Sequence, residues 1–233
     1  MIRSNVVKSP VSSVEISSLP PDYTVDAILA FLEKWFPDFR EEYVSTMPSS
    51  LEDDISRSLH LFLQAKAKSN NFLFSFNGQK GVDFLILIQP LVLSAKPIFV
   101  IEAKRLPPTN NKDYVQGTTG GIERFKREQA GFTFDRNQCA MVAYVQKHTF
   151  NRWFEQINYW ITELIVDNQN RIEIEWAEDD KLLELPSNSE YVSKFISRHS
   201  RKTLPILTIR HFWLNMQQKT VPIANLNRNQ AFS

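Results

Sequence analysis

Two short runs hold the residues of this chain best suited to chemistry. Gly81-Val82-Asp83 opens the apolar segment Val82–Ile88, and Glu102-Ala103-Lys104 closes a second one, Pro97–Lys104, with 18 residues between the two acids. Both segments read as buried strands, and charged groups rarely enter such segments because desolvating an unpaired charge is expensive. Two carboxylates and an ammonium at neighbouring strand ends therefore need a partner that offsets the penalty. A divalent metal with a phosphate ester is the natural one. Side chains alternate along a strand, so Glu102 and Lys104 point one way while Ile101 and Ala103 point the other. If the preceding strand pairs with this one, Asp83 joins the same cluster. Mg²⁺ suits such a site because it takes one or two carboxylates, keeps several waters and binds substrate phosphate oxygens. A bound Mg²⁺ polarises a phosphoryl group and lowers the pKa of its water, while a nearby lysine steadies developing negative charge.

Plainer readings stand beside this one. Glu102 and Lys104 can form an ion pair at a strand end, with Asp83 paired to Lys80 or Arg105, and such surface pairs contribute little. Glu52 lies on an upstream helix in Ser49-Ser50-Leu51-Glu52, a capping-box pattern in which Ser49 and Glu52 would satisfy the first amides reciprocally.

The elements that must position these residues follow from periodicity. Thr24–Phe36 reads as a helix with Val25, Ile28, Leu29, Leu32, Trp35 and Phe36 on one side, stopped by Pro37. A second helix starts near Ser49, with Leu51, Ile55, Leu59 and Phe62 along a stripe. Three strands are expected over Phe72–Phe76, Val82–Ile88 and Pro97–Lys104, separated by Asn77-Gly78 and Gln89-Pro90, which suggests an antiparallel meander. A polar loop, Pro107–Gly121, leads into a short helix over Ile122–Ala130 ended by Gly131. A strand over Cys139–Gln146 and a helix over Phe150–Val166 come next. Beyond them we expect an acidic strand at Ile172–Trp176, a loop, a helix near Glu190–Arg198 and a strand at Leu204–Arg210. This order argues an α/β fold with a mixed β-sheet flanked by helices. We expect one domain over 1–233, with a core at about 24–167 and a basic C-terminal extension at about 190–233.

Asp83 followed by Glu102-Ala103-Lys104 resembles the PD-(D/E)xK nuclease superfamily, with Asp83 as its first acid and Glu102-Ala103-Lys104 as its (D/E)xK element. The resemblance covers roughly Leu51–Gln146, and Glu52 fits the acid often added there on the preceding helix. Gly81-Val82 stands where the family's proline precedes the acid, a position that varies widely within it. The resemblance implies a restriction-endonuclease-like core. It implies Asp83, Glu102 and the Ala103 carbonyl as ligands of Mg²⁺, with Mn²⁺ as a substitute. Lys104 would position the attacking water, and Glu52 would help hold the metal or its water. The implied activity is metal-dependent hydrolysis of nucleic acid, foremost a DNA endonuclease in restriction, phage defence or repair. A homodimer or a partner protein of a defence system fits that role. A catalytically silent nucleic-acid-binding or scaffold subunit and an RNA-directed nuclease are the alternatives. The helix after the ExK strand flanks the site in the family, so Gln116, Glu123 or Arg124 are candidates to reach it.

Composition narrows the rest. With 233 residues, 42% hydrophobic and 23% charged, the chain can bury a sizeable core. Its single cysteine, Cys139, excludes an intrachain disulfide and a Cys-rich zinc site. His148, His199 and His211 lack zinc-ligand spacing, and we read them as structural or solvated. No apolar run suits a membrane span and no leader pattern is evident, so a cytoplasmic protein is expected. The formal net charge of +1 hides an asymmetry: Tyr191–Ser233 carries seven Lys and Arg residues and no acid. Arg198, Arg201 and Lys202 there, with Arg124, Lys126 and Arg127, are the candidate phosphate-backbone contacts. A solvated tail, or a basic edge packed on an acidic domain, explains the same charges.

Overall fold

The computed structural model describes residues 21–46, 49–70, 72–77, 81–88, 96–107, 112–117, 120–129, 132, 136–167 and 174–218. Gly78, Lys80, Gln89-Pro90, Gly131 and Ile172, all invoked above, lie outside those residues, as do Lys219 and Arg228 of the basic C-terminal stretch. The elements in chain order are α1 (Pro21–Thr46), α2 (Glu52–Lys66), β1 (Phe72–Phe76), β2 (Phe84–Ile88), β3 (Phe99–Leu106), α3 (Gly121–Lys126), β4 (Gln138–Val145), α4 (Phe150–Val166), β5 (Leu183–Ser189), β6 (Val192–His199) and β7 (Leu207–Asn215). They form an α/β fold around one seven-stranded mixed sheet in the order β1-β2-β3-β4-β7-β6-β5. The β1–β2–β3 meander is antiparallel; β4 lies parallel to β3, β7 parallel to β4, and β6 and β5 complete the sheet antiparallel.

Helices cover both faces. Ile28, Leu32, Phe36, Ile55, Leu59 and Leu63 of α1 and α2 pack on Phe84, Ile86, Phe99, Ile101 and Ala103. Ile122 and Phe125 of α3 and Trp153, Ile157 and Ile161 of α4 pack on Val100, Met141, Ala143, Ile209 and Trp213 of the opposite face. Alternation along β3 is therefore explicit. Phe99, Ile101 and Ala103 face α1 and α2, and the intervening Val100, Glu102, Lys104 and Leu106 face the other way. The exposed edge of β1 is blunted by α2, since Gln64 Oε1 accepts from Phe74 N at 3.1 Å and His60 Nε2 lies 3.1 Å from the Phe74 carbonyl. Among the described residues no helix is long and apolar enough to cross a membrane.

Four expectations need correction. Pro37 does not stop the first helix, which continues to Thr46. Phe39, Tyr43 and Val44 prolong its buried stripe, and that packing outweighs the missing amide hydrogen bond. Arg40 ties the extension down by donating to the Asn215 and Gln217 carbonyls at 2.5 and 2.7 Å. The expected helix at Glu190–Arg198 is strand β6, whose inward positions Phe195, Ser197 and His199 include two polar residues that mask the period-two pattern. Residues 174–177 are not a strand, and the strand of that region is β5, an exposed edge segment with no apolar alternation. Finally, the basic C-terminal extension is, over residues 192–215, part of the sheet itself, with β7 between β4 and β6.

Candidate active site

The site exists because β2 is shorter than β3. Their pairing runs from Ile86 opposite Phe99 to Phe84 opposite Ile101 and ends there. Beyond that point β3 continues along β4 alone, with Glu102 opposite Met141 and Lys104 opposite Ala143. The β3 amides that would have bonded a longer β2 need other acceptors, and two carboxylates supply them. Asp83, in the residue before β2 begins, accepts from Ala103 N at 2.7 Å. Glu52, the first residue of α2, accepts from Arg105 N at 2.6 Å. The N–H and C=O of one strand residue face the same edge, so the Ala103 carbonyl points into the same gap as its amide.

Charged side chains fill that gap. Lys104 Nζ lies 2.8 Å from Glu102 Oε1 and 3.4 Å from Glu52 Oε1. Arg124 of α3 reaches the same Glu102 Oε1 with Nη1 at 3.2 Å, its guanidinium stacked 3.7 Å above the Phe132 ring. Glu102 is 1% exposed, and its second oxygen, Oε2, is buried with no hydrogen-bond partner among the described residues. The charge of Asp83 acts on the Glu102 carboxyl. Burial first, then the charge of Asp83, pushes the Glu102 carboxyl up to about 8 against the pull of Lys104 and Arg124. Burial likewise raises Asp83 to about 6, opposed mainly by the Ala103 amide and Lys104. Burial works against the Lys104 charge, but Glu102, Glu52 and Asp83 outweigh it and hold the ammonium above the ordinary lysine range. Among the described residues three acids face two cations here. The excess negative charge must be met by a proton or by a further cation.

Comparison with family models, with curated proteins and with solved structures finds no match.

Among the described residues no group of three or more His, Cys, Asp or Glu side chains is placed to hold a metal ion. Asp83 and Glu102 are two carboxylates, and Glu52 stands across Lys104 from them. This is not an all-protein cage. It does fit a hard cation that draws on two carboxylates and a backbone carbonyl and completes its shell with water or substrate, as Mg²⁺ does. The orphaned Glu102 Oε2 and the mutual repulsion of the two acids are what a cation would relieve.

The capping box over Ser49–Glu52 does not form. Leu51 is the N-cap residue with no side-chain cap bond, Ser49 Oγ donates to Asp54 Oδ2 at 2.6 Å, and Glu52 is turned to β3. Of the residues flanking the ExK strand, Arg124 joins the site while Glu123 does not. Glu123 is buried, accepting from Gly117 N at 2.7 Å and pairing with Arg127 at 2.6 Å. The glycine turn before α3 serves packing: a Cβ on Gly120 would sit 2.2 Å from the Gln116 carbonyl carbon.

The candidate phosphate contacts are dispersed. Lys126 is corrected outright, being fully buried with its ammonium 2.7 Å from Asp180 Oδ1. Arg127 is engaged with Glu123. Arg201 donates to the Pro205 and Arg136 carbonyls at 2.6 and 3.0 Å, bracing a loop. Arg198 and Lys202 are exposed. The strand register sets Arg198 opposite Thr208, which lies opposite Gln138, so Arg198 is three strands across and three residues along from Glu102, about 17 Å away. The structure brings Asp83, Glu102, Lys104, Glu52 and Arg124 together and leaves Arg198, Arg201 and Lys202 at the far end of the sheet.

Proposed function

We propose that this protein is a metal-dependent nuclease that hydrolyses phosphodiester bonds, with duplex DNA as the substrate. The observation that carries the reading is the buried Glu102 Oε2, unpartnered among the described residues, in a carboxyl that feels the charge of Asp83, with Lys104 fixed between Glu102 and Glu52. The order α2–β1–β2–β3–α3–β4, with β4 parallel to β3, supports the resemblance to the PD-(D/E)xK superfamily. The choice of DNA, and of restriction, phage defence or repair as the setting, rests on that resemblance. A homodimer or a partner protein would allow two such sites to act on opposite strands.

Each residue has a role that follows from its contacts. Asp83, Glu102 and the Ala103 carbonyl would hold Mg²⁺, which when bound polarises the phosphoryl oxygen and acidifies a water. The Ala103 amide fixes the Asp83 carboxylate in place, leaving its other oxygen for the ion. Arg124 and Lys104 both neutralise Glu102 Oε1, so the remaining charge of that carboxylate is concentrated at Oε2. Lys104, held protonated by its acids, orients the attacking water and steadies charge on the phosphate. Glu52, anchored by the Arg105 amide, keeps Lys104 aligned from the opposite side.

The test incubates the protein with supercoiled plasmid, linear duplex, single-stranded DNA and RNA, with Mg²⁺, with Mn²⁺, or with neither. Cleavage that requires the metal and is lost in Asp83→Ala and Lys104→Ala proteins of native fold supports the proposal. Metal-independent cleavage, or an active Asp83→Ala protein, overturns it. Binding without cleavage on every substrate favours a silent subunit.

A further inference from the structure

Across the α3–α4 face of the sheet runs a second polar assembly, and it is almost wholly buried. Lys126, Asp180, Ser197, His199 and His211 are each at most 1% exposed, and so is Tyr114. They come from α3, a 3₁₀ turn at Glu178–Asp180, β6, β7 and a 3₁₀ turn at Lys112–Tyr114, yet their hydrogen bonds form one continuous chain. Its direction can be worked out from one end. The Trp213 indole can only donate, and it donates to Tyr114 Oη at 3.0 Å. The single Tyr114 hydrogen then goes to His211 Nδ1 at 2.7 Å, which leaves His211 Nε2–H to donate to Ser197 Oγ at 2.7 Å. The Ser197 hydrogen goes to His199 Nε2 at 2.6 Å, so His199 carries its proton on Nδ1 and donates to Asp180 Oδ1 at 2.5 Å. Lys126 closes the chain, donating to both Asp180 oxygens at 2.7 and 2.8 Å, with Ala177 N adding a third donor at 2.7 Å.

Each hydroxyl and imidazole hydrogen in the chain is used, and one ion pair balances its charge. Burial keeps His199 and His211 below the ordinary histidine range, in keeping with two neutral rings. Asp180, His199 and Ser197 have the connectivity of a hydrolytic triad, but Ser197 is 1% exposed and hydrogen-bonded to a second histidine. No substrate reaches it, and a different role is needed.

The two ends of the chain supply that role. Tyr114 and Lys126 bracket the segment that carries Arg124, and α3 has only six residues, too few to hold its place by helical hydrogen bonds alone. We propose that the Tyr114–His211–Ser197–His199–Asp180–Lys126 chain is a positioning network that clamps both ends of this segment to β6 and β7 and so sets Arg124 against Glu102. The functional part of this inference rests on the nuclease reading of the Asp83–Glu102–Lys104 site; the clamp itself does not. Disturbing the chain loosens Arg124, unshields Glu102 and misplaces the acids without touching substrate.

The test uses the full chain and four variants. ¹⁵N NMR of the imidazoles reads the tautomers, and the Arg124 Nε–H cross-peak, assigned by its loss in Arg124→Lys, reads the position of the guanidinium. We expect His199 protonated on Nδ1 and His211 on Nε2. Ser197→Ala and Tyr114→Phe should shift the Arg124 cross-peak and speed its hydrogen exchange while circular dichroism stays native, and Ser197→Thr, which keeps the hydroxyl, should restore it. Cleavage should lose about 10- to 100-fold in kcat in the first two variants, with KM little changed. The same tautomer on both histidines overturns the proposal. So does an unmoved Arg124 signal in folded Tyr114→Phe protein, which decides the matter even if Ser197→Ala does not fold. If the wild-type protein cleaves nothing, the nuclease reading falls, and the tautomer and Arg124 signals still decide whether the clamp exists.

Discussion

Glu102→Gln should make the metal-free protein more stable at alkaline pH while abolishing its activity. The wild-type carboxyl is held at about 8 against an ordinary 4.5, so ionising it in the folded state costs on the order of 4–5 kcal/mol. The sign follows from linkage. A carboxyl raised in the folded state contributes stability that is fully present below about 4.5 and is lost as pH rises through about 8. Glutamine mimics the protonated form at every pH. Its amide oxygen keeps the contacts that Glu102 Oε1 makes with Lys104 and Arg124. Wild type and variant should therefore match below about pH 4.5 and diverge steadily between there and about pH 8, the gap levelling off above that at about 2–4 kcal/mol because Asp83 bears part of the repulsion. For a chain of this size that is roughly 5–15 °C in Tm. Thermal unfolding without divalent cation, measured from pH 5 to pH 9, checks the claim. Mg²⁺ should raise the wild-type Tm at pH 8 and leave the variant's unchanged. A variant no more stable than wild type at pH 9, or a gap that does not grow with pH, would refute the reasoning.

Other substitutions probe the remaining parts. Lys104→Met should abolish cleavage and, by leaving Glu102 and Glu52 without the shared ammonium, destabilise the metal-free fold by about 2–4 kcal/mol in chemical denaturation. Asp83→Ala should strip the Ala103 amide of its acceptor, lowering stability by about 1–3 kcal/mol while eliminating metal-dependent cleavage. Glu52→Gln keeps an acceptor for the Arg105 amide, so stability should change by less than about 1 kcal/mol while kcat falls about tenfold or more, as single-turnover kinetics would show. Arg198→Ala with Lys202→Ala should leave KM for DNA within about twofold and the salt slope unchanged, since these side chains stand at the far end of the sheet. A steep loss of affinity would instead mark that end as the nucleic-acid track.

Local pattern made several elements legible. The β1 and α4 boundaries and the β3–α3–β4 succession follow from apolar periodicity, which reports which residues a strand or helix must bury. Periodicity failed where burial is not apolar. β6 turns Ser197 and His199 inward, β5 turns almost nothing inward, and α1 runs through Pro37 because Phe39, Tyr43 and Val44 find a surface to cover. The buried chain from Tyr114 to Lys126 left no mark in the sequence at all. Its members are isolated polar residues up to 97 positions apart in a single bond, as between Tyr114 and His211, and only the folded sheet makes them partners.

By itself the sequence determined that Asp83 would stand at the start of one strand, and that Glu102 and Lys104 would lie on the next and share a face. Two-residue alternation within one strand requires nothing from the rest of the chain. Only the tertiary structure decided what surrounds them. The early end of β2 opens the gap and frees the Ala103 and Arg105 amides, and α2 turns Glu52 from a helix cap into the acceptor for one of them. α3 places Arg124 on Glu102 and spends Lys126 on Asp180. Those outcomes depend on where separate elements stop and which faces they press together. These are set by the packing of the whole sheet, and no local window of sequence contains them.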